Sequence, residues 1–197
     1  MAEQRRERAD AARNRQAILR AAEELLAAHR PEDISLEQVA AAAGVGKGTV
    51  FHRFGNRTGL MYALMEQRAQ ALERAIATGP PPLGPGAPPA DRLSAFLDAV
   101  VDLVTRNVGL IAAVDHAATT QRHGDGAGQQ HPMYVLWHGH LAALLAEENP
   151  DADADLVAHL VLGSMHSEPV LGMLRRGESH RIAAGLRVLA AGALHAS

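Results

Sequence analysis

Apolar residues recur along the chain at intervals of three and four, and no segment alternates apolar and polar positions one by one. That periodicity belongs to helices packed on one face, and not to strands. Ile18, Ala22, Leu25 and Leu26 form the inward stripe of a helix expected at about Ala11 to Ala28. Two short helices follow, then a longer one from about Thr58 to Ala77. The stretch Gly79-Pro-Pro-Pro-Leu-Gly-Pro-Gly-Ala-Pro-Pro89 cannot continue a helix, because proline lacks the amide donor and glycine loses the most backbone entropy.

Beyond this linker, Leu93, Phe96, Leu97, Val100 and Val104 predict a helix starting near Asp91, with a further short one over Val108 to Ala118. His123 to Gly128 reads as a loop, and Met133, Leu136, Trp137, His140, Leu141 and Leu144 restore a stripe up to Glu148. Pro150 and Asp151 are expected to open the next helix. Leu156 to Leu174 is apolar nearly all round, with Pro169 expected to kink it, and so is Ile182 to Leu194. Helices of that kind need cover on more than one side, which a second chain would supply. The dimer face is expected at Leu160, Gly163, Val170, Leu186 and Leu189.

Composition narrows the chemistry. With 47% apolar residues and only 3% aromatic ones, the core must be built from Leu, Val and Ala. The absence of cysteine excludes disulfides, thiolate zinc sites and thiol nucleophiles. The charged start, Glu3 to Arg8, does not read as a signal peptide, and no segment approaches the roughly 20 apolar residues of a membrane span. A cytoplasmic protein with no membrane partner is expected. Net charge is −3, yet residues 1–78 carry 12 Lys or Arg against 10 Asp or Glu, and residues 79–197 carry 7 against 12. The basic excess sits in the first part.

The most informative local pattern runs from Ser35 to Phe54. Ser35 followed by Gln38 is a capping box, in which side chains and backbone amides satisfy each other at a helix start. Val39 and Ala40 face inward, and Ala40 lets a second helix cross closely. Gly44 supplies the left-handed residue that ends this helix, and Val45 anchors the turn. A second helix from Lys47 to Phe54 turns Val50 and Phe54 to the core and leaves Lys47, Thr49, Phe51, His52 and Arg53 outward, with Gly48 permitting close backbone approach. An exposed helix N-terminus of this kind fits a major groove, where lysine meets guanine acceptors or phosphate.

Ile18–Leu26, Ile34–Ala40 and Ala43–Leu60 closely resemble the DNA-binding domain of the TetR family of transcriptional regulators, over about the first third of the chain. The resemblance implies an all-α protein: an N-terminal three-helix DNA-binding domain with a helix-turn-helix, and a C-terminal helical ligand-binding and dimerisation domain. On that reading residues 1–56 are the DNA-binding domain, with an arm at about 1–10. Residues 57–78 are a connecting helix, 79–90 the linker, and 91–197 the effector-binding and dimerisation domain. A homodimer would read a palindromic double-stranded operator, and a small-molecule effector would release repression. Activation is the alternative within the family. Lys47 and Thr49 take the place of base or phosphate contacts, and Arg57 that of the family's frequent phosphate-contacting lysine. Phe51 stands where the family often has tyrosine, which removes a hydroxyl donor, and His52 where a second ring or polar group is frequent. Ser35 caps its helix and is a candidate phosphate donor as well.

The nine histidines after residue 78 raise a metal-binding or His-dependent enzymatic alternative. Spacing argues against it. His159 and His166 are about 10.5 Å apart along a helix axis, and His138 and His140 point to different sides of theirs. No metal, cofactor or enzymatic activity is expected. Asp151, Asp153 and Asp155 suit a helix start, where negative charge meets the helix dipole. His140, a polar residue inside an apolar stripe, needs a partner or a cavity. The expected ligand pocket comprises Phe96, His116, Tyr134, Trp137, His140, Met165 and His166.

Overall fold

In a computed structural model that describes residues 2–118 and 132–195, with side chains at Arg6, 9–110 and 134–192, the described residues form nine α-helices and no strand. They sort into two compact units that interleave along the sequence.

The first unit takes the chain through Gln67 and a second stretch beginning at Gly109. It contains α1 (Ala2–Leu26), α2 (Leu36–Ala43), α3 (Lys47–Phe54) and the start of α4 (Arg57–Thr78). Ile18, Leu19 and Ala22 of α1 meet Val39 and Ala40 of α2, Val50 of α3, and Leu60, Met61 and Leu64 of α4 in one core. Leu110 completes it. The α1 stripe is wider than expected, since Leu19 and Ala21 are also buried. α1 begins at Ala2 and not at Ala11, so the segment expected to be an arm is helical from its second residue. Two of its arginines are engaged within the unit. Arg13 pairs with Asp10, and the Arg15 guanidinium lies 5.6 Å from the centre of the Phe54 ring and 3.4 Å from Glu66.

The second unit takes Arg68–Val108 and the helices α6 to α9. α5 (Pro89–Ala118) is a single helix: the break expected before Val108 does not occur, because no residue there interrupts the amide ladder. Its residues through Val108 belong to this unit, and those from Gly109 to the first. Leu93, Phe96, Leu97, Val100 and Val101 of α5 pack against Leu141, Leu144 and Leu145 of α6 (Pro132–Glu148). Leu136, expected in the α6 stripe, is exposed, and Val135 beside it is too. The Pro/Gly stretch lies inside this unit, held by Leu83, which packs on the core. Gly84 is required there, since a Cβ would lie 1.9 Å from the Gly79 carbonyl oxygen.

α7 (Ala154–Ser164) starts later than Pro150 and Asp151 would have it. Asp153 is its N-cap, accepting the Leu156 amide at 3.1 Å. The apolar run through Leu174 is not one kinked helix. It is α7 followed by a separate α8 (Glu168–Arg175), and Pro169 sits in the first turn of α8, where its missing amide costs nothing. His166 therefore lies beyond the end of α7 and shares no helix face with His159. α9 (Ser179–His195) packs on α7 and α8. The loop expected at 123–128 lies outside the described residues.

Candidate functional site

The helix-turn-helix forms as its local chemistry dictates. Ser35 Oγ accepts the Gln38 amide at 3.2 Å, and Gln38 Oε1 accepts the Ser35 amide at 2.8 Å. At the other end of α2, Gly44 adopts φ +66° and closes its amide onto the carbonyls of Ala40 and Ala41. Val45 packs half-buried against the core. The chain is thereby turned into α3 within three residues, with Gly46 extended at its N-cap.

Two residues anchor α3: Val50 is fully buried and Phe54 nearly so. Lys47, Gly48, Thr49, Phe51, His52 and Arg53 are all exposed, so every residue expected to face outward on this helix does. Exposure of Phe51, at 41%, is notable for a large apolar ring. The Lys47 ammonium lies 5.4 Å from the centre of that ring and forms an ion pair with Glu37 on α2. The Lys47 hydrogen bond holds the Glu37 carboxyl below its usual pKa. Both partners are more than half exposed, so the pair is open to solvent screening and to competing anions.

Arg57, at the start of α4, donates to the Glu32 carbonyl oxygen at 2.7 Å, with other guanidinium N–H groups remaining. Ser35, Phe51 and Arg57 border one open groove of about 420 Å³, whose other walls include Glu32, Asp33 and Glu37. Three carboxylates on its rim weaken any anion site there, against which Ser35 and Arg57 supply the donors. The outward face of α3 is the better surface for one.

The second unit contains a cavity of about 140 Å³ lined by Val100, Val104, Tyr134, Trp137, Leu162, Met165 and His166. Four of the residues expected to line a pocket, Tyr134, Trp137, Met165 and His166, meet there. Phe96 and His140 do not. Phe96 is fully buried in the core and packs edge-on against the His140 ring, with centroids 5.0 Å apart. His140 Nε2 has no hydrogen-bond partner among the described residues. Burial, aided by the Arg92 charge, pushes its pKa below the usual imidazole value. Trp137 Nε1 is a buried donor also without a partner among the described residues. The side chain of His116 lies outside those described.

Of the expected dimer-face residues, Leu160 and Gly163 on α7 and Leu189 on α9 are exposed, and Val170 is half-buried. Leu186 is a core residue, because it lies on the side of α9 that joins the unit's interior. Sequence periodicity missed Leu156 and Val188, whose exposures of 51% and 71% continue the apolar stripes on α7 and α9. No described helix is long and apolar enough to cross a membrane.

A short capped helix, a left-handed glycine turn and an outward-facing second helix define a helix-turn-helix DNA-binding protein. Residues 18–64 match the family described as "Bacterial regulatory proteins, tetR family". Over those residues the chain carries a DNA-binding domain of the TetR type. The chain's fold is shared over most of its length with solved regulators. A TetR transcriptional regulator of Streptomyces coelicolor is 24% identical over 91% of this chain and 95% of its own, with a TM-score of 0.57. A TetR-like regulator of Rhodococcus sp. RHA1 is 20% identical over 93% and 97%, with a TM-score of 0.55. The regulatory protein TetR of Rhodobacter sphaeroides is 19% identical over 88% and 97%, at 0.56. No curated protein matches the chain significantly.

Proposed function

We propose that this regulator acts in the cytoplasm as a homodimer, reads a palindromic double-stranded operator through α3, and represses until a small molecule releases it. The observation that carries the DNA half is the division of α3. Two buried residues hold the helix, and Lys47, Gly48, Thr49, Phe51, His52 and Arg53 are left for a ligand. Lys47 and Thr49 lie at the helix N-terminus, where a base edge or phosphate is reached first. Gly48 between them admits close backbone approach. Phe51 offers its ring to a thymine methyl, His52 and Arg53 reach along the strand, and Ser35 and Arg57 contribute phosphate donors.

The stripes on α7 and α9 support the dimer. Leu156, Leu160 and Gly163 on one helix, and Gly185, Val188, Leu189 and Gly192 on its neighbour, are exposed at helical spacing. Contiguous apolar surface of this kind marks an interface, and the glycines permit close helix approach. The cavity beside Trp137 is the seat of the effector. It is smaller than the roughly 300–1,000 Å³ of sites for drug-sized ligands, so its ligand is a compact, mainly apolar molecule or one that widens it. The Trp137 N–H, without a partner among the described residues, calls for an acceptor on that ligand. An effector acts only by binding the DNA-competent and released conformations unequally. α4, whose residues are divided between the two units, is the connection it would bias.

The test is fluorescence anisotropy with fragments selected from the source genome. Wild-type affinity should fall steeply with salt. Lys47→Ala with Thr49→Ala should weaken binding about 100-fold, from roughly 1–3 kcal/mol per contact, with an unchanged melting curve. Salt-independent binding, or a double variant that binds like the wild type, sinks the reading.

A further inference from the structure

We propose that His138, Asp155 and His159 bind a divalent transition-metal ion of the zinc class. This site goes beyond the DNA and effector reading and does not depend on it. Spacing along the chain concealed it, because the ligands come from two helices. Asp155 and His159 are one turn apart on α7, and His138 approaches from α6, which packs along α7. The three donor groups lie within 4.8 Å of one another, the one such cluster among the described residues.

The distances suit an ion better than they suit hydrogen bonds. His138 Nε2 lies 3.5 Å from one Asp155 carboxylate oxygen, and His159 Nε2 lies 3.8 Å from the other. Nitrogen–oxygen hydrogen bonds cluster at about 2.7–3.2 Å. Two ligands on a tetrahedral ion with bonds of about 2.0–2.1 Å stand about 3.3 Å apart, so small rotations would complete the site. The two imidazoles are already side by side, with centroids 4.0 Å apart and planes tilted by 32°.

The Tyr134 hydroxyl supplies the second observation, lying 2.7 Å from His159 Nδ1. With Nδ1 donating its hydrogen to the tyrosine oxygen, Nε2 presents a bare lone pair toward the carboxylate. Metal-bound histidines are oriented by this kind of outer hydrogen bond. The opposite tautomer aims an N–H at a carboxylate 3.8 Å away, without forming a hydrogen bond. His138 Nε2 is also 3.1 Å from the Asp155 carbonyl oxygen, and ion binding exchanges that contact for a coordinate bond.

The His138 side chain is 14% exposed and that of Asp155 76%, so the site has one sheltered ligand and an open side for entry and for a water as fourth ligand. Two imidazoles and one carboxylate favour zinc, cobalt, nickel or copper over magnesium or calcium. The bound ion would clasp α6 to the first turns of α7. Because the unfolded chain lacks the site, binding would raise stability by mass action.

The experiment titrates full-length protein with CoCl2 followed by visible absorption, displaces it with ZnCl2, and measures ZnCl2 binding by calorimetry. One ion per chain is expected, with low-coordinate cobalt bands and a ZnCl2-dependent rise in melting temperature. His138→Ala, His159→Ala and Asp155→Asn should each weaken binding at least tenfold, and Tyr134→Phe about tenfold. His180→Ala should leave it unchanged. Asp155→Asn changes only an exposed side chain, so its fold is secure and its result decisive if a histidine variant fails to fold. A wild type that takes no stoichiometric ion overturns the proposal. So does undiminished affinity in Asp155→Asn and the histidine variants, which would place the ion on other histidines.

Discussion

α3 of the first unit and α6 of the second each carry an aromatic residue and histidine, yet they use them in opposite directions. α3 keeps two side chains inside, Val50 and Phe54, and presents the rest to solvent. On α6, Trp137 faces a cavity, His140 is wedged edge-on to Phe96, and His138 turns to Asp155 and His159 on α7. A helix that works outward needs only enough packing to hold it in place. One that works inward shares every functional residue with the packing, so its fold and its function cannot be altered separately.

The largest test of that contrast is Phe96→Ala. Phe96 is fully buried at the centre of the second unit, and truncations of this kind cost about 3–5 kcal/mol when neighbours relax only in part. Urea unfolding should show a loss in that range, together with altered binding of any molecule held near Trp137. A loss below about 1 kcal/mol would mean that the interior collapses freely around the void, and the contrast with α3 would fail.

Legibility in the sequence follows the same division. Ser35, Gln38 and Gly44 act through neighbours three or four residues away, so their roles as cap and turn were readable and the structure has them so. The outward set on α3 was readable for the same reason. The ends of α5 and α7 were not. No residue near Val108 breaks the helix, and the true cap at Asp153 competed with two other aspartates and a proline. The pairing of His138 with His159 depends on α6 crossing α7, which no spacing within one helix encodes. Leu186 was misplaced because α9 has apolar residues on both sides, and only packing shows which side is interior.

A pair of glycine substitutions gives a smaller, cleaner test. At Gly44 an added Cβ would meet nothing within 4 Å, so Gly44→Ala carries only the cost of φ +66°, about 1–2 kcal/mol. Gly48 is helical and equally open, so Gly48→Ala should stabilise by up to about 1 kcal/mol through helix propensity. Thermal melts should separate the two in sign. If α3 meets DNA at close range, Gly48→Ala should also weaken binding several-fold while raising the melting temperature. A gain in stability with unchanged affinity would move the contact away from Gly48.

The smallest expected effect concerns Glu37, which forms no part of the outward set on α3 but holds its lysine. In free protein the Lys47 ammonium is paired with Glu37 and lies near the Phe51 ring, so on the proposed reading binding to DNA exchanges a carboxylate for a phosphate or a base acceptor. Lys47 lowers the Glu37 pKa, so at neutral pH the carboxylate is fully ionised and the competition is always present. Acid would relieve it only below the usual carboxylate range. Glu37→Gln removes the competing charge at neutral pH and also one negative charge from the rim of the groove beside Phe51. Affinity for DNA should therefore rise, about three- to tenfold at low salt, and the gain should shrink as salt screens the pair. Melting should move little, because the pair is exposed. Weaker binding in this variant would instead mean that Glu37 positions Lys47 for DNA, and that the outward face of α3 depends on α2 for more than its anchorage.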